Sequence, residues 1–298
     1  IILNFFLLIF IIFFSIIIIL STSGIETDKF NKIIIKKASE TRNVDLNLNE
    51  IKFKIDPKEL SLFLETQRPK ITYRDLIIPV KNIKVYIDFL SLIKSKTKIN
   101  KISLVLEELD IVQLNKLSAM IKPSNFKSIL NNKIKKGKLI STIEIFLTEK
   151  GKLKNFIAKG SVRDLKAELV NGLSFKKTNL SFFADKNDIL IKNIFGTLED
   201  IKISDGDLKL NLENGVKINS NFDTQIDLNE KTKTKYSNFL KKFEFQKNIS
   251  NLSGNFNNNI FVELDNTYKV KDYNYTISGK VENAMIEFNN SIKSIFLA

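Results

Sequence analysis

No cysteine and no histidine occurs among the 298 residues. That excludes disulfides, thiolate nucleophiles, histidine general bases and the usual zinc sites. It does not fix the compartment, because many exported proteins lack cysteine. Arginine is scarce, at Arg42, Arg68, Arg74 and Arg163, so the net charge of +14 is almost entirely lysine. The lysines are spread along the chain and most have an Asp or Glu nearby. Their densest group, Lys133, Lys135, Lys136 and Lys138, comes with no helix-turn-helix, RNA-recognition or zinc-finger pattern. It reads as a solvated turn, and no nucleic-acid partner is expected. P-loop, GxGxxG and HExxH patterns are missing too, so no enzyme activity and no cofactor are expected. Adjacent acids such as Glu107–Glu108 and Glu199–Asp200 point to opposite faces of a strand and cannot act as an acid/base pair. Asp205–Gly206–Asp207 reads as a turn, lacking the remaining calcium-loop ligands.

The sequence does contain one long apolar run. Ile1–Leu20 is interrupted only by Asn4 and Ser15. Twenty residues in a helix reach about 30 Å, the thickness of a bilayer's hydrocarbon core. A signal-peptide core is shorter, about 7–15 residues, so the run reads as an uncleaved anchor with Phe5, Phe10, Phe13 and Ile17 in lipid. The lysines that follow, Lys29, Lys32, Lys36 and Lys37, would keep the remainder cytoplasmic by the positive-inside rule. Long domains cross regardless of such flanks, so the residues alone leave the side open.

Beyond the anchor the pattern is alternation. Ile83, Val85, Ile87 and Phe89 alternate with Lys84, Tyr86 and Asp88, as in a strand with one apolar face. Similar stretches carry Ile143 and Ile145, Leu180 and Phe182, Leu208 and Leu210, and Ile218 and Phe222. A phase flip at Asn49–Glu50 marks a bulge or turn. Pro57 opens a short helix-like piece through Leu64, and Pro69 and Pro79 flank one strand at 71–78. Turns are expected at Thr148–Lys152, Asn171–Gly172, Asp185–Asp188, Asp205–Gly206 and Asn214–Gly215. Short helices are expected near Leu114–Ile121, near Phe126 and over Glu230–Phe245. Regular crossover helices are lacking, so the strands form an antiparallel meander and not a parallel α/β sheet.

Such strands must bury their apolar faces. The helices are too few to cover strands from 44 to 288. A closed sandwich, a barrel, or an open trough occupied by a non-protein ligand all remain.

Three blocks favour the trough: "VDLNLNEIKFKIDPKEL" (44–60), "PKITYRDLIIPVKNIKVYIDFLSLI" (69–93) and "INKISLVLEELDIVQLNKL" (99–117). With "NFIAKGSVRDLKAEL" (155–169), "NIFGTLEDIKISDGDLKLNL" (193–212) and "YNYTISGKVENAMIEF" (273–288), they resemble the AsmA-like family, the TamB and YhdP type of bridge-like lipid transfer protein. The resemblance implies a mainly β protein with an N-terminal transmembrane helix and an elongated, taco-like antiparallel β-groove with a few short helices. It implies a single anchor in the bacterial inner membrane, the bulk of the chain in the periplasm, and phospholipid acyl chains carried in the groove toward the outer membrane. Periplasmic or outer-membrane envelope proteins would be further partners. On this reading residues 1–20 are the anchor, 21–40 a juxtamembrane helix or linker, 41–131 an N-terminal AsmA-like β region, and 132–298 a repeating groove cut short at its C-terminal end. The lipid-facing candidates are the twelve apolar residues named above, from Ile83 to Phe222. The alternative is an anchored β-scaffold with a closed core that aids outer-membrane protein assembly.

Overall fold

A computed structural model describes residues 2–27, 44–59, 61–73, 76–88, 98–111, 133–168, 174–213, 215–229, 249–265 and 269–286, with positions 31, 35, 113, 114, 232 and 267. The fold is an open, curled antiparallel β architecture with one N-terminal apolar helix, α1 (Ile2–Thr22). The strands are β1 (Ile25–Glu26), β2 (Val44–Asn47), β3 (Ile51–Asp56), β4 (Ser61–Gln67), β5 (Lys70–Tyr73), β6 (Leu76–Ile87), β7 (Ile99–Leu106), β8 (Leu109–Asp110), β9 (Ile134–Leu147) and β10 (Leu153–Glu168). They continue as β11 (Ser174–Ala184), β12 (Asp188–Leu198), β13 (Ile201–Asn211), β14 (Val216–Leu228), β15 (Ile249–Leu264) and β16 (Val270–Ile286). The chain divides into two compact units. Unit 1 is Ile1–Leu109, Lys116–Lys122 and Ile140–Gly160; unit 2 is Asp110–Asn115, Pro123–Leu139 and Ser161–Ala298.

In unit 1 the strand order is β1-β3-β4-β6-β7-β9, with β2 and β5 off this path against the start of β6. Helix α1 ends where Gly24 takes a positive φ of 72° and donates its N–H to the Ile19 carbonyl at 2.9 Å. Glycine adopts that conformation at no steric cost. The chain then pairs at once with β3, Ile25 opposite Phe53. The polar face carries a built network. Glu65 is buried, paired with Lys54 at 2.7 Å and hydrogen-bonded by the Asn82 amide. Phe63 and Tyr86 pack with ring centroids 5.3 Å apart, with Lys84 over Phe63 and Lys101 over Tyr86. Burial and the carboxylates of Glu59, Asp56, Glu144 and Glu65 push the Tyr86 hydroxyl up to about 12.

Burial alone would raise the Glu65 carboxyl. The hydrogen bonds from Lys54 and Asn82, with the charges of Lys54 and Lys84, outweigh it and hold the group below its ordinary 4.5. A folded-state pKa below the unfolded one gives stability that is present at neutral pH and lost as pH falls from about 4.5 through the lower folded value. Thermal melts in that acid window should therefore steepen in their pH dependence. Glu65→Gln, at lower stability overall, should flatten it. An unchanged slope in Glu65→Gln would place the acid sensitivity elsewhere.

In unit 2 strands β11 to β16 pair in sequence order, each antiparallel to the next. Several apolar phase flips in this region are not strand ends but bulges inside long strands. Asp164 in β10, Lys177 in β11 and Asn193 in β12 sit at φ 51°, 49° and 53°. The β11–β12 register shifts between Lys176 and Asn179, and the β13–β14 register between Ile203 and Asp205. Each added residue reverses the alternation, so the apolar series crosses the bulge on one face: Val162 to Leu165, Ile191 to Ile194, Ile203 to Leu208. A bulge bends its strand, and a row of them across neighbouring strands curls the sheet.

Several local expectations are corrected. Residues 61–67 are β4 and not helix. An Asx turn at Asp56, whose carboxylate accepts from the N–H groups of Lys58 and Glu59 at 3.0 and 3.2 Å, reverses the chain into it. The stretch 71–78 is not one strand but parts of β5 and β6, paired with Ile71 opposite Ile78. Asp205–Gly206 is no turn. It lies within β13, where Gly206 leaves room for the Phe222 ring, and the chain reverses at Glu199–Asp200 instead. The lysine group is not a turn either: Lys135, Lys136 and Lys138 lie on β9, where Lys136 pairs with Asp164 and Lys135 with Glu168. The helices expected near 126 and over 230–245, most of the one at 114–121, and the Asn171–Gly172 turn lie outside the described residues.

Candidate functional site

The candidate site is the apolar face of each unit. In unit 1, β-pairing lines up Phe53, Leu64, Val85, Ile102 and Ile145 across five strands. The next row is Ile51, Thr66, Ile83, Leu104 and Ile143. Cross-strand partners share a face, so these rows form one apolar surface. Ile83, Val85 and Ile87 are buried at 7%, 7% and 4% exposure, whereas Ile143 and Ile145 on β9 are half-buried. Phe89 lies outside the described residues.

In unit 2, Phe182, Ile191 and Leu208 stand opposite one another on β11, β12 and β13. A second row runs Ile189, Leu210, Ile218, Val262 and Tyr273. Phe222 packs on Gly206, and Leu180 shares the face of Phe182 two residues on. Leu180, Phe182, Leu208, Ile218 and Phe222 are half-buried; Leu210 is buried. The opposite face of β14 reads Lys217, Asn219, Asn221, Asp223, Gln225 and Asp227, all exposed. Strand β14 is therefore sharply two-faced, whereas the reverse faces of β11 and β12 also expose Phe183 and Phe195.

Ile102, Leu104, Ile189, Ile191, Ile260, Val262 and Tyr273 belong to these surfaces as much as the residues singled out from sequence. Alternation in their strands is a visible signal, but only the register shows which alternating positions meet. One polar cluster interrupts the unit 2 face. Asn258 is buried, donates to the Phe222 carbonyl at 3.1 Å and to Thr224 Oγ1 at 2.8 Å, and accepts from the Tyr275 hydroxyl at 2.9 Å. Burial raises the Tyr275 hydroxyl above its ordinary value. The cluster ties β14, β15 and β16 together with its amide satisfied.

Helix α1 presents Phe5, Phe10 and Phe13 at 60%, 63% and 60% exposure, with Ile17 half-buried. The Ser15 hydroxyl donates to the Ile11 carbonyl at 2.8 Å and that of Thr22 to the Ile18 carbonyl at 2.7 Å, so neither seeks water. Among the described residues it is the one helix long and apolar enough to cross a membrane, and it fits an anchor and a signal sequence alike. Phe10→Arg places a charge at its centre, which costs about 2.5–3.5 kcal/mol on the insertion scale. Carbonate extraction of cell membranes should find less Phe10→Arg than wild type in the pellet. Equal retention would rule out insertion through α1.

Comparison with family models, with curated proteins and with solved structures gives no match.

Proposed function

We propose that this chain is anchored in the bacterial inner membrane by an uncleaved α1, extends into the periplasm, and carries phospholipid acyl chains along its apolar sheet faces toward the outer membrane. The observation that carries the proposal is the unit 2 face. There apolar residues from six strands form one surface, mostly half-buried and running from buried Leu210 to exposed Tyr273, while the reverse face of β14 is polar. Each methylene moved from water onto such a surface gains about 0.8 kcal/mol, so a sixteen-carbon chain gains about 12 kcal/mol before ordering costs. Sliding along a uniform face never gives that up at once. The resemblance to AsmA-like proteins supplies the compartment and the direction. A second reading, an anchored scaffold with a closed core, draws on the full burial of Ile83, Val85 and Ile87 in unit 1.

A photoreactive residue tests the two readings. The full chain is expressed in a Gram-negative bacterium with a diazirine side chain at Ile218 or at its neighbour Asn219, which faces the other way. Irradiation should yield phospholipid adducts at Ile218 and not at Asn219. Protein-only adducts at Ile218 would favour the scaffold. For sidedness, Asn187→Cys introduces the sole cysteine at an exposed turn. An impermeant maleimide should label it once the outer membrane is opened. Labelling that requires a broken inner membrane would put the domain in the cytoplasm.

A further inference from the structure

The hairpin between β9 and β10 lies at one end of the unit 1 apolar face. Its closing hydrogen bond runs from the Thr148 N–H to the Lys152 carbonyl at 2.8 Å, and farther along the pair Ser141 Oγ donates to the Lys159 carbonyl at 3.2 Å. Both contacts fit one antiparallel register, which sets Ile145 opposite Asn155 and Ile143 opposite Ile157. Asn155 therefore continues on β10 the row of Phe53, Leu64, Val85, Ile102 and Ile145, and puts an amide where the row has been apolar. Its Oδ1 is buried and has no hydrogen-bond donor. Buried acceptors are almost always satisfied, so this orphan calls for an explanation.

A cavity of about 640 Å³ opens beside it, within the size range of ligand sites. Lys98, Leu147, Glu149, Lys154, Asn155 and Ile157 line it. Lys98 is held by Glu149 at 2.9 Å, with Asp88 nearby, so its charge is answered. Lys154 is exposed and has no ion-pair partner among the described residues, which leaves its ammonium for a ligand.

We infer that this cavity seats the head group of an anionic phospholipid that carries hydroxyls, of the phosphatidylglycerol kind. Its phosphodiester sits by Lys154, and a head-group hydroxyl donates to Asn155 Oδ1. Its acyl chains run from the hairpin along Ile145, Ile157 and Ile143, which are half-buried. Three features select this occupant. An apolar row that ends in a polar cavity takes an amphiphile and not a soluble anion. A lone ammonium matches one negative charge, whereas a zwitterionic head brings a cation that finds Glu149 already held by Lys98. The orphan acceptor takes a hydrogen bond from a hydroxyl. The inference rests on the reading that acyl chains lie on this face, and it names the head group that comes with them.

Native mass spectrometry of the full chain in mild detergent tests it, with phosphatidylglycerol and phosphatidylethanolamine of identical chains titrated separately. Phosphatidylglycerol should bind about tenfold tighter. Lys154→Gln should remove that preference, whereas Lys209→Gln, at an exposed lysine of unit 2, should keep it. Asn155→Leu should weaken phosphatidylglycerol binding about fivefold and raise the melting temperature, because it removes a buried unsatisfied acceptor. A lower melting temperature in Asn155→Leu would make the amide structural and overturn the proposal. Equal binding of the two lipids by the wild-type chain, or a preference that survives Lys154→Gln, would overturn the head-group site and leave the acyl-chain reading standing. Binding of neither lipid would overturn both.

Discussion

Val85→Asp is expected to destabilise unit 1 strongly, while Ile218→Asp leaves unit 2 close to wild-type stability. Both residues sit mid-strand on an apolar face, and from sequence they look equivalent. Val85 lies on β6 between Leu64 and Ile102 at 7% exposure. A carboxylate there has neither water nor a basic partner on its own face, which costs about 4 kcal/mol against a typical net stability of about 5–15 kcal/mol. Melting should drop by about 10 °C or more. Ile218 lies on β14 between Leu210 and Val262 and is half-buried, so water reaches a carboxylate at that position. Its cost should stay near 1 kcal/mol, and the loss should appear instead as missing lipid adducts from a photoreactive residue at Ile260, on the same face of the neighbouring strand β15. Ile143→Asp, half-buried on β9, belongs with Ile218. Equal destabilisation by Val85→Asp and Ile218→Asp would mean that the unit 2 face is a closed core.

Gly160→Ala should cost about 3 kcal/mol or more, far beyond the usual effect of adding one methyl group. A Cβ at Gly160 in β10 meets the Ile140 carbonyl oxygen and lies 3.0 Å from Ser141 Cα. Those are backbone atoms of β9, held in the sheet, and they cannot turn aside as a side chain can. Relief requires β9 and β10 to separate, so amide exchange should quicken in both strands while melting falls. Two other glycines calibrate the effect. Gly206→Ala meets the Phe222 ring, which can rotate, and should cost about 1 kcal/mol. At Gly151, nothing lies within 4 Å of the added carbon, but its φ of 72° makes alanine unfavourable by about 1 kcal/mol. A Gly160→Ala protein as stable as wild type would show that β9 and β10 are spaced more widely here.

The sequence by itself determined the class of structure. An apolar run of helical length, period-two alternation from residue 44 onward, and turn residues at Thr148–Lys152 and Asp185–Asp188 dictate a helix followed by antiparallel strands, because backbone geometry ties period to conformation. It also placed the apolar candidates on strands, since alternation is a local property. Alternation could not distinguish a strand end from a bulge. The flips at Val162–Leu165 and Ile191–Ile194 read equally as two short strands or one bent strand, and only pairing with a neighbour decides between them. It misread residues 61–64 because the proline signal at Pro57 belongs to the turn between β3 and β4, capped by Asp56. The tertiary structure alone decided which apolar residues meet. It buried Val85 and left Ile218 half open, joined Ile83 to Ile143 across β7, and left Tyr273 exposed. Burial and register are sums over strands far apart in sequence, and no local pattern of residues encodes them.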